Sequence, residues 1–511
     1  MSEAVARRDE PTSAGALDER LARFRSLRRD LEAAVLPLAT SIDGRRFSFQ
    51  ASLHGLELRL GGYVVLDGGG IGRLGQILSL ELAQRDGTEL DLPGDADGAV
   101  GVRTQVTIRH ARGEGRILEG DGRPIHDAAL RPAAADEVRV WLDRSRPGRA
   151  ALPIGELALA PGVPCTLDAG GFDRHTFFCG QSGSGKTYSL GVILERLLVE
   201  TGLRIVVLDP NSDFVRLAAV RAGGDAVAAE RYRDAARGVV VHSARDGGER
   251  RLRLRLAELS PAAQAALLRL DPIADREERA ELAALLEEGT PPSVEALLAS
   301  VRPEAHRLAL RARSLGVEGF GVWAGGQSGS LLDVLDDAQA RCVVVDLGSL
   351  ATREEQALVA EAVLGRLWQR REEREPVLVV IDEAHNVCPA RPEDPLTELA
   401  TRHAVRIAAE GRKFGLYLVV STQRPQKVHD NVISQCDNLV LMRLNSDADA
   451  AFAQAIFSFV PSGLVGQAAT FGLGEALIAG KISPHPALVR FGARLAEEGG
   501  SDVPATWAVA R

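Results

Sequence analysis

The residues best suited to chemistry lie in two stretches far apart in the chain. The first is Gly180-Gln-Ser-Gly-Ser-Gly185-Lys186-Thr187, with the spacing G-x-x-x-x-G-K-[ST]. An apolar run, Thr176–Cys179, precedes it, and Leu190, Ile193, Leu194, Leu197 and Leu198 follow at helical spacing. A strand, a glycine loop and a helix in this order make a phosphate cradle. Backbone N–H groups from Ser182 to Thr187 turn towards an anion, and the helix N-terminus adds its positive dipole end. The expected nucleotide contacts are Gly180, Ser182, Gly183, Ser184, Gly185, Lys186, Thr187 and Tyr188. Lys186 would reach the β- and γ-phosphates of ATP, and Thr187 would offer its hydroxyl to Mg²⁺. Of 61 basic residues only Lys186, Lys413, Lys427 and Lys481 are lysines, and Lys186 alone falls in the first 400 residues. In a chain that otherwise uses arginine, a lysine marks a place for a compact point charge rather than a planar fork.

The second stretch is Val377-Leu-Val-Val-Ile-Asp382-Glu383-Ala-His385, an apolar run ending in two carboxylates. A buried parallel strand delivers its C-terminal residues to the crevice where ligands bind. Adjacent carboxylates there are costly without a cation. Asp382 is therefore expected to hold Mg²⁺, and Glu383 to orient and deprotonate an attacking water. Leu416–Val420 runs into Ser421-Thr-Gln-Arg-Pro425, so Gln423 could sense the γ-phosphate. Leu208-Asp-Pro-Asn-Ser-Asp213 also ends a strand pattern, and Asp209 and Asp213 read either as groups near the metal or as turn and capping residues. Phosphoryl transfer needs positive charge opposite the γ-phosphate. Arg174, Arg412 and Arg443 are candidates, against the plainer reading of surface ion pairs. Gly325–Ser330 imitates the glycine loop but lacks its Gly-Lys-Thr ending and reads as an ordinary loop.

These residues need a scaffold. Seven apolar runs read as buried parallel strands: Thr176–Cys179, Ile205–Leu208, Val239–Val241, Cys342–Val345, Val377–Ile381, Leu416–Val420 and Leu439–Met442. With helical stretches between them they predict an α/β domain over 151–490 with a mostly parallel sheet, interrupted by a helical insertion near 256–340. Upstream, 41–150 alternates with period two at Leu78–Leu82, Val102–Ile108 and Val138–Leu142. Turn signals sit at Arg85-Asp-Gly87 and Gly120-Asp-Gly122, and the whole predicts a small β-barrel. Residues 1–40 predict a helical arm, from Leu17, Leu21, Phe24, Leu27 and Leu31, and 491–511 a C-terminal tail. Arg250–Arg255 alternates arginine with leucine and reads as an exposed strand or loop edge.

Composition excludes some classes. Net charge is −9, not the basic footprint of a protein that coats nucleic acid, although a ring can be acidic outside and basic in its channel. No apolar run reaches the roughly 18–20 residues of a membrane span. The five cysteines form no CxxC pair and are expected to be reduced thiols in a cytoplasmic protein.

The set as a whole resembles the HerA-type ATPases of the HerA/FtsK division of P-loop motors. The resemblance runs through Arg174-His175, Gly180–Thr187, Leu208–Phe214, Val379–Asn386, Ala409–Gly415, Thr422–Pro425 and Gln435–Arg443. It extends into the barrel at Gly62-Tyr-Val-Val and Leu74-Gly-Gln-Ile-Leu. Asn211-Ser-Asp213 departs from the family's usual His-Gly-Glu, which puts the role of Asp213 in question. The resemblance implies a RecA-like fold and a homo-hexameric ring with ATP between subunits. Arg412 would reach a neighbour's nucleotide, and Arg174 would contribute at the interface. It further implies translocation of double-stranded DNA through the ring and a nuclease or other effector partner. Another use of the same ring would be to scaffold and regulate an effector enzyme in antiphage defence. Arg391, Arg402 and Lys427 are the pore-lining candidates.

Overall fold

A computed structural model describes residues 13–55, 57–92, 102–145, 150–223, 225–245, 250–287, 303–324, 329–337 and 339–500. They divide into two compact units, one drawn from the chain up to 144 together with 159–163, the other from the remainder.

The first unit is a closed antiparallel barrel preceded by helix α1 (Ser13–Ala33). Its strands are β1 (Leu38–Ser41), β2 (Arg46–Ala51), β3 (Tyr63–Gly68), β4 (Ile71–Leu92), β5 (Val102–Ile117) and β6 (Ile125–Pro132), closing in the order β1-β2-β5-β4-β3-β6. Alternate residues point inward, and Phe47, Phe49, Leu66, Ile77 and Leu130 fill the interior. Two sequence expectations need correction. Arg85-Asp86-Gly87 is not a turn but lies inside β4, where the pairing register slips between Asp86 and Glu89. Gly87 serves this bulge, because a Cβ there would stand 2.4 Å from the Val106 carbonyl oxygen. Val138–Leu142 is not a strand but part of helix α2 (Ala135–Ser145). Val138, Trp141 and Leu142 fit a helical stripe as well as an alternation, and Asp136 and Glu137 suit the first turn of a helix. Val138 and Trp141 are buried, whereas Val140 is exposed.

The second unit holds a twelve-stranded sheet. Its members are β7 (Ala151–Leu157), β8 (Pro164–Asp168), β9 (His175–Cys179), β10 (Arg204–Asp209), β11 (Val239–Ser243), β12 (Arg250–Arg251), β13 (Cys342–Asp346), β14 (Val377–Ile381), β15 (Leu416–Thr422), β16 (Cys436–Leu441), β17 (Glu475–Ala479) and β18 (Ala487–Phe491). The order is β12-β11-β13-β10-β14-β15-β9-β16-β17-β18-β7-β8. From β12 to β16 all pairings are parallel, and from β16 to β8 all are antiparallel. This is the expected α/β domain with a mostly parallel sheet, and it carries an antiparallel extension that the sequence does not announce. Every residue of β9, β10, β13 and β14 is buried, as parallel strands covered on both faces require.

Parallel pairing puts the C-terminal ends of β9, β10, β13, β14 and β15 along one edge. The insertion supplies helices Pro261–Leu267, Arg276–Glu287, Pro303–Ser314 and Leu331–Asp336. Of the glycine-loop mimic, 325–328 lies outside the described residues, and Ser330 caps the last of these helices. Residues 1–12 of the arm and 501–511 of the tail also lie outside. Arg250–Arg251 forms an exposed edge strand, while Leu252 and Leu254 are buried. Among the described residues no helix is long and apolar enough to cross a membrane, and all five cysteines are buried with no disulfide between them.

Candidate nucleotide site

The glycine loop leaves β9 and enters helix α3 (Lys186–Glu200). Gly183 and Gly185 have φ of 74° and 88°, a left-handed backbone that glycine adopts without strain. Neighbouring strands pin the loop from the flanks. Gln181 N–H donates to the Arg443 carbonyl at 3.0 Å, and the Asn445 amide donates to Gln181 Oε1 at 2.9 Å. Arg443 Nη2 donates to the Gly183 carbonyl at 3.0 Å. Arg443, one candidate for charge opposite the γ-phosphate, thus contacts the glycine loop of its own chain. Ser184 turns its hydroxyl inward to the Gln181 carbonyl at 2.7 Å. The Tyr188 hydroxyl accepts the Arg494 amide at 2.9 Å, so its polar end is engaged with the chain's C-terminal segment.

Lys186 lies in the cleft between this loop and the two carboxylates. Its Nζ is 2.7 Å from Asp382 Oδ1, 3.0 Å from Ser421 Oγ and 3.3 Å from Glu383 Oε1. Ser421 donates to the same Asp382 oxygen at 2.7 Å. Burial opposes the lysine's charge, but Asp382 and Glu383 outweigh it and raise its pKa. Gln423 Nε2 donates to Glu383 Oε1 at 2.6 Å. Glu383 Oε2 lies 3.3 Å from His385 Nδ1, which is itself 3.1 Å from Thr422 Oγ1. Glu383 has φ of 42°, a left-handed conformation that an L-residue keeps only when its surroundings enforce it. The predicted residues Lys186, Asp382, Glu383 and Gln423 therefore meet in one cluster. Ser421 and His385 belong to it too; both stood inside the quoted motifs, but only their placement at strand ends reveals their contacts.

Asp209 and Asp213 join the cluster from β10. One carboxylate oxygen from each of Asp209, Asp213 and Asp382 lies within 4.8 Å of the others. Asp209 caps the following turn by accepting amides from Asp213 at 3.0 Å and Phe214 at 2.8 Å, and it faces the cleft. Burial first, with Asp382's charge also contributing, pushes its pKa to about 7 against those amides. Burial and then Asp382 likewise raise Asp213. Asp382 Oδ2 is buried and receives no hydrogen bond among the described residues. Convergent carboxylates with an orphaned buried oxygen suit a hard divalent cation such as Mg²⁺.

Arg412 and Arg174 lie elsewhere. Arg174 precedes β9 and Arg412 precedes β15, so both sit at the end of the parallel strands opposite the glycine loop. The five residues of β9 and the seven of β15 put them roughly 15–25 Å from their own chain's cleft. Both guanidinium groups converge on Asp437, Arg412 Nη1 at 2.9 Å and Arg174 Nε at 3.4 Å. Among the pore candidates, Arg391 and Lys427 are exposed on adjoining segments joined by the Pro389–Val428 bridge. Arg402 forms an ion pair with Glu398 on its own helix.

Part of the chain resembles known proteins. The profile described as "Helicase HerA, central domain" matches residues 152–302. This stretch of the chain is thus similar to the central domain of the HerA-type helicases. The chain is 32% identical over 179 residues to the DNA double-strand break repair helicase HerA of Sulfurisphaera tokodaii, covering 33% of this chain and 35% of that protein. It is 36% identical over 115 residues to the protein of the same name from Pyrococcus furiosus, covering 22% and 20%. The chain thus aligns with about a third or less of the length of these relatives. Among solved structures, the bacterial conjugative coupling protein TrwBdeltaN70 is 16% identical with a TM-score of 0.47, over 71% of this chain and 92% of that one. VirB4 of Thermoanaerobacter pseudethanolicus is also 16% identical, with a TM-score of 0.46 over 68% and 97%.

Proposed function

We propose that this HerA-type chain hydrolyses ATP as a subunit of a hexameric ring that translocates double-stranded DNA and works with a nuclease or other effector. The observation that carries the catalytic part is the cluster of Lys186, Asp382, Ser421, Glu383 and Gln423 against a glycine loop at a helix N-terminus. Loop amides from Ser182 to Thr187 bind the phosphates, and Lys186 exchanges its contacts with Asp382 and Glu383 for phosphate oxygens. Thr187 and Asp382 would hold Mg²⁺, which neutralises phosphate charge when bound. Glu383 Oε2 takes the proton of a water that attacks the γ-phosphorus. The bond from that phosphorus to the β–γ bridging oxygen breaks, leaving ADP and phosphate. Gln423 holds Glu383 in register through Oε1 and is suited to report the γ-phosphate to β15.

Arg412 and Arg174 cannot serve their own cleft from the far end of the sheet. Their position supports a site completed by a neighbouring subunit. Double-stranded DNA as the substrate of motion rests on the names of the HerA relatives. A net charge of −9 favours a second reading, a ring that scaffolds and regulates an effector enzyme in antiphage defence with little use for DNA. Steady-state ATP hydrolysis with and without linear duplex DNA of random sequence separates the two. Strong stimulation is the result expected of a translocase. A rate indifferent to DNA but dependent on a protein partner would overturn the translocase reading.

A further inference from the structure

The turn that carries Asp213 is held by groups outside the nucleotide motifs. Ser212 has φ of 63°, a left-handed conformation that serine adopts at a cost and glycine does not. It is buried, and its hydroxyl both donates and accepts. Ser212 Oγ donates to Asp346 Oδ1 at 2.7 Å and accepts from Arg245 Nη2 at 2.9 Å. The other oxygen of Asp346 accepts from Ser243 Oγ at 2.7 Å. Ser243 Oγ in turn accepts the Arg245 amide at 3.2 Å, closing the network. Asp346 ends β13 and Ser243 ends β11, the two strands beyond β10 on the side away from the glycine loop. The network therefore extends the reactive edge of the sheet by two strands and ends on the residue before Asp213.

We propose that Ser212, Asp346, Ser243 and Arg245 are positioning residues that fix Asp213 against Asp209 and Asp382, so that three carboxylates rather than one govern divalent-cation binding. The proposal rests on the nucleotide-site reading above. A serine hydroxyl is retained at a position whose backbone favours glycine because it ties the turn to Asp346. Asp213 reaches the cluster on a short side chain, so its backbone must be held close. The Asp209 carboxylate takes the Asp213 N–H, and the Asp213 carbonyl accepts the Gly499 amide at 3.0 Å. The Ser212 hydroxyl adds a third tether from a different direction. Partners of this kind orient a ligand without touching the ion, and their loss weakens binding rather than abolishing it.

The test uses the full chain with a non-hydrolysable ATP analogue and Mn²⁺ as the probe, free Mn²⁺ being read by electron paramagnetic resonance. Ser212→Gly removes the hydroxyl while relaxing the backbone, two effects of opposite sign on stability, and its melting temperature is recorded to show that the chain folds. Mn²⁺ affinity should fall about tenfold in Ser212→Gly and in Asp346→Asn. Analogue binding in EDTA should not change. Should Asp346→Asn fail to fold, Ser212→Gly carries the test alone. Parental Mn²⁺ affinity in Ser212→Gly, while Asp382→Asn loses it, overturns the positioning role and leaves the nucleotide site standing. Parental affinity in Asp382→Asn as well overturns both.

Discussion

Glu383→Gln separates the proposed chemistry from binding most cleanly. The glutamate's Oε1 accepts from Gln423 at 2.6 Å and lies 3.3 Å from Lys186 Nζ. A glutamine keeps an oxygen for Gln423 and the same volume, so the cluster should assemble. Lys186 retains Asp382 at 2.7 Å and the Ser421 hydroxyl at 3.0 Å, so its charge remains balanced. What disappears is the proton acceptor and one negative charge near the γ-phosphate. A positioned general base contributes about 10²–10⁴-fold. That corresponds to about 3–5 kcal/mol of barrier. Removing a like charge should leave ATP affinity equal or higher. Phosphate release under single-turnover conditions, alongside equilibrium binding of a fluorescent ATP analogue, measures both. Turnover within about tenfold of the parent would refute the general-base role. Lost binding with lost turnover would instead show that Glu383 supports the fold of the cleft.

Other perturbations test the scaffold. Glu195 on α3 pairs with Arg494 at 2.9 Å with both side chains fully buried, and also accepts the Leu495 and Ala496 amides. Glu195→Ala leaves a buried guanidinium uncompensated and should lower stability by about 3–5 kcal/mol, read by chemical denaturation. An unchanged midpoint would contradict that ledger. His175 is buried, and burial, followed by the charge of Arg412, holds its pKa down at about 4. The unfolded chain takes up this proton first, so the neutral imidazole's contribution is intact above about pH 6.5 and is lost as pH falls towards 4, by about 3 kcal/mol. The stability difference between the parent and His175→Gln should therefore shrink over that window, and a constant difference would exclude the mechanism.

The nucleotide site was legible because its chemistry tolerates few residue types at fixed spacing. Gly180–Thr187 and Val377–Glu383 each carry their own strand context, so Lys186, Asp382 and Glu383 could be brought together without coordinates. The parallel strands were legible for the same reason, being continuous apolar runs. The antiparallel extension was not, since β7 is broken at Pro153 and Gly155 and β8 opens on Pro164. Val138–Leu142 misled because five residues satisfy either period, and the acidic residues just before it were the deciding signal. The shared attachment of Arg412 and Arg174 to Asp437, and of Ser212 and Ser243 to Asp346, join distant segments through side chains with no spacing to read. Only the order of strands in the sheet brings them together.

In the proposed ring, the cleft around Lys186 and Glu383 hydrolyses ATP only with Arg412 from the next subunit. Mixing two inactive variants, Arg412→Ala and Lys186→Ala, tests it directly. In a ring of head-to-tail contacts mixed at equal ratio, about a quarter of the interfaces would pair an intact Lys186 with an intact Arg412. Recovery of ATP hydrolysis towards that fraction, greatest near equal mixing, is the predicted result. No recovery at any ratio, with both variants assembled, would contradict it.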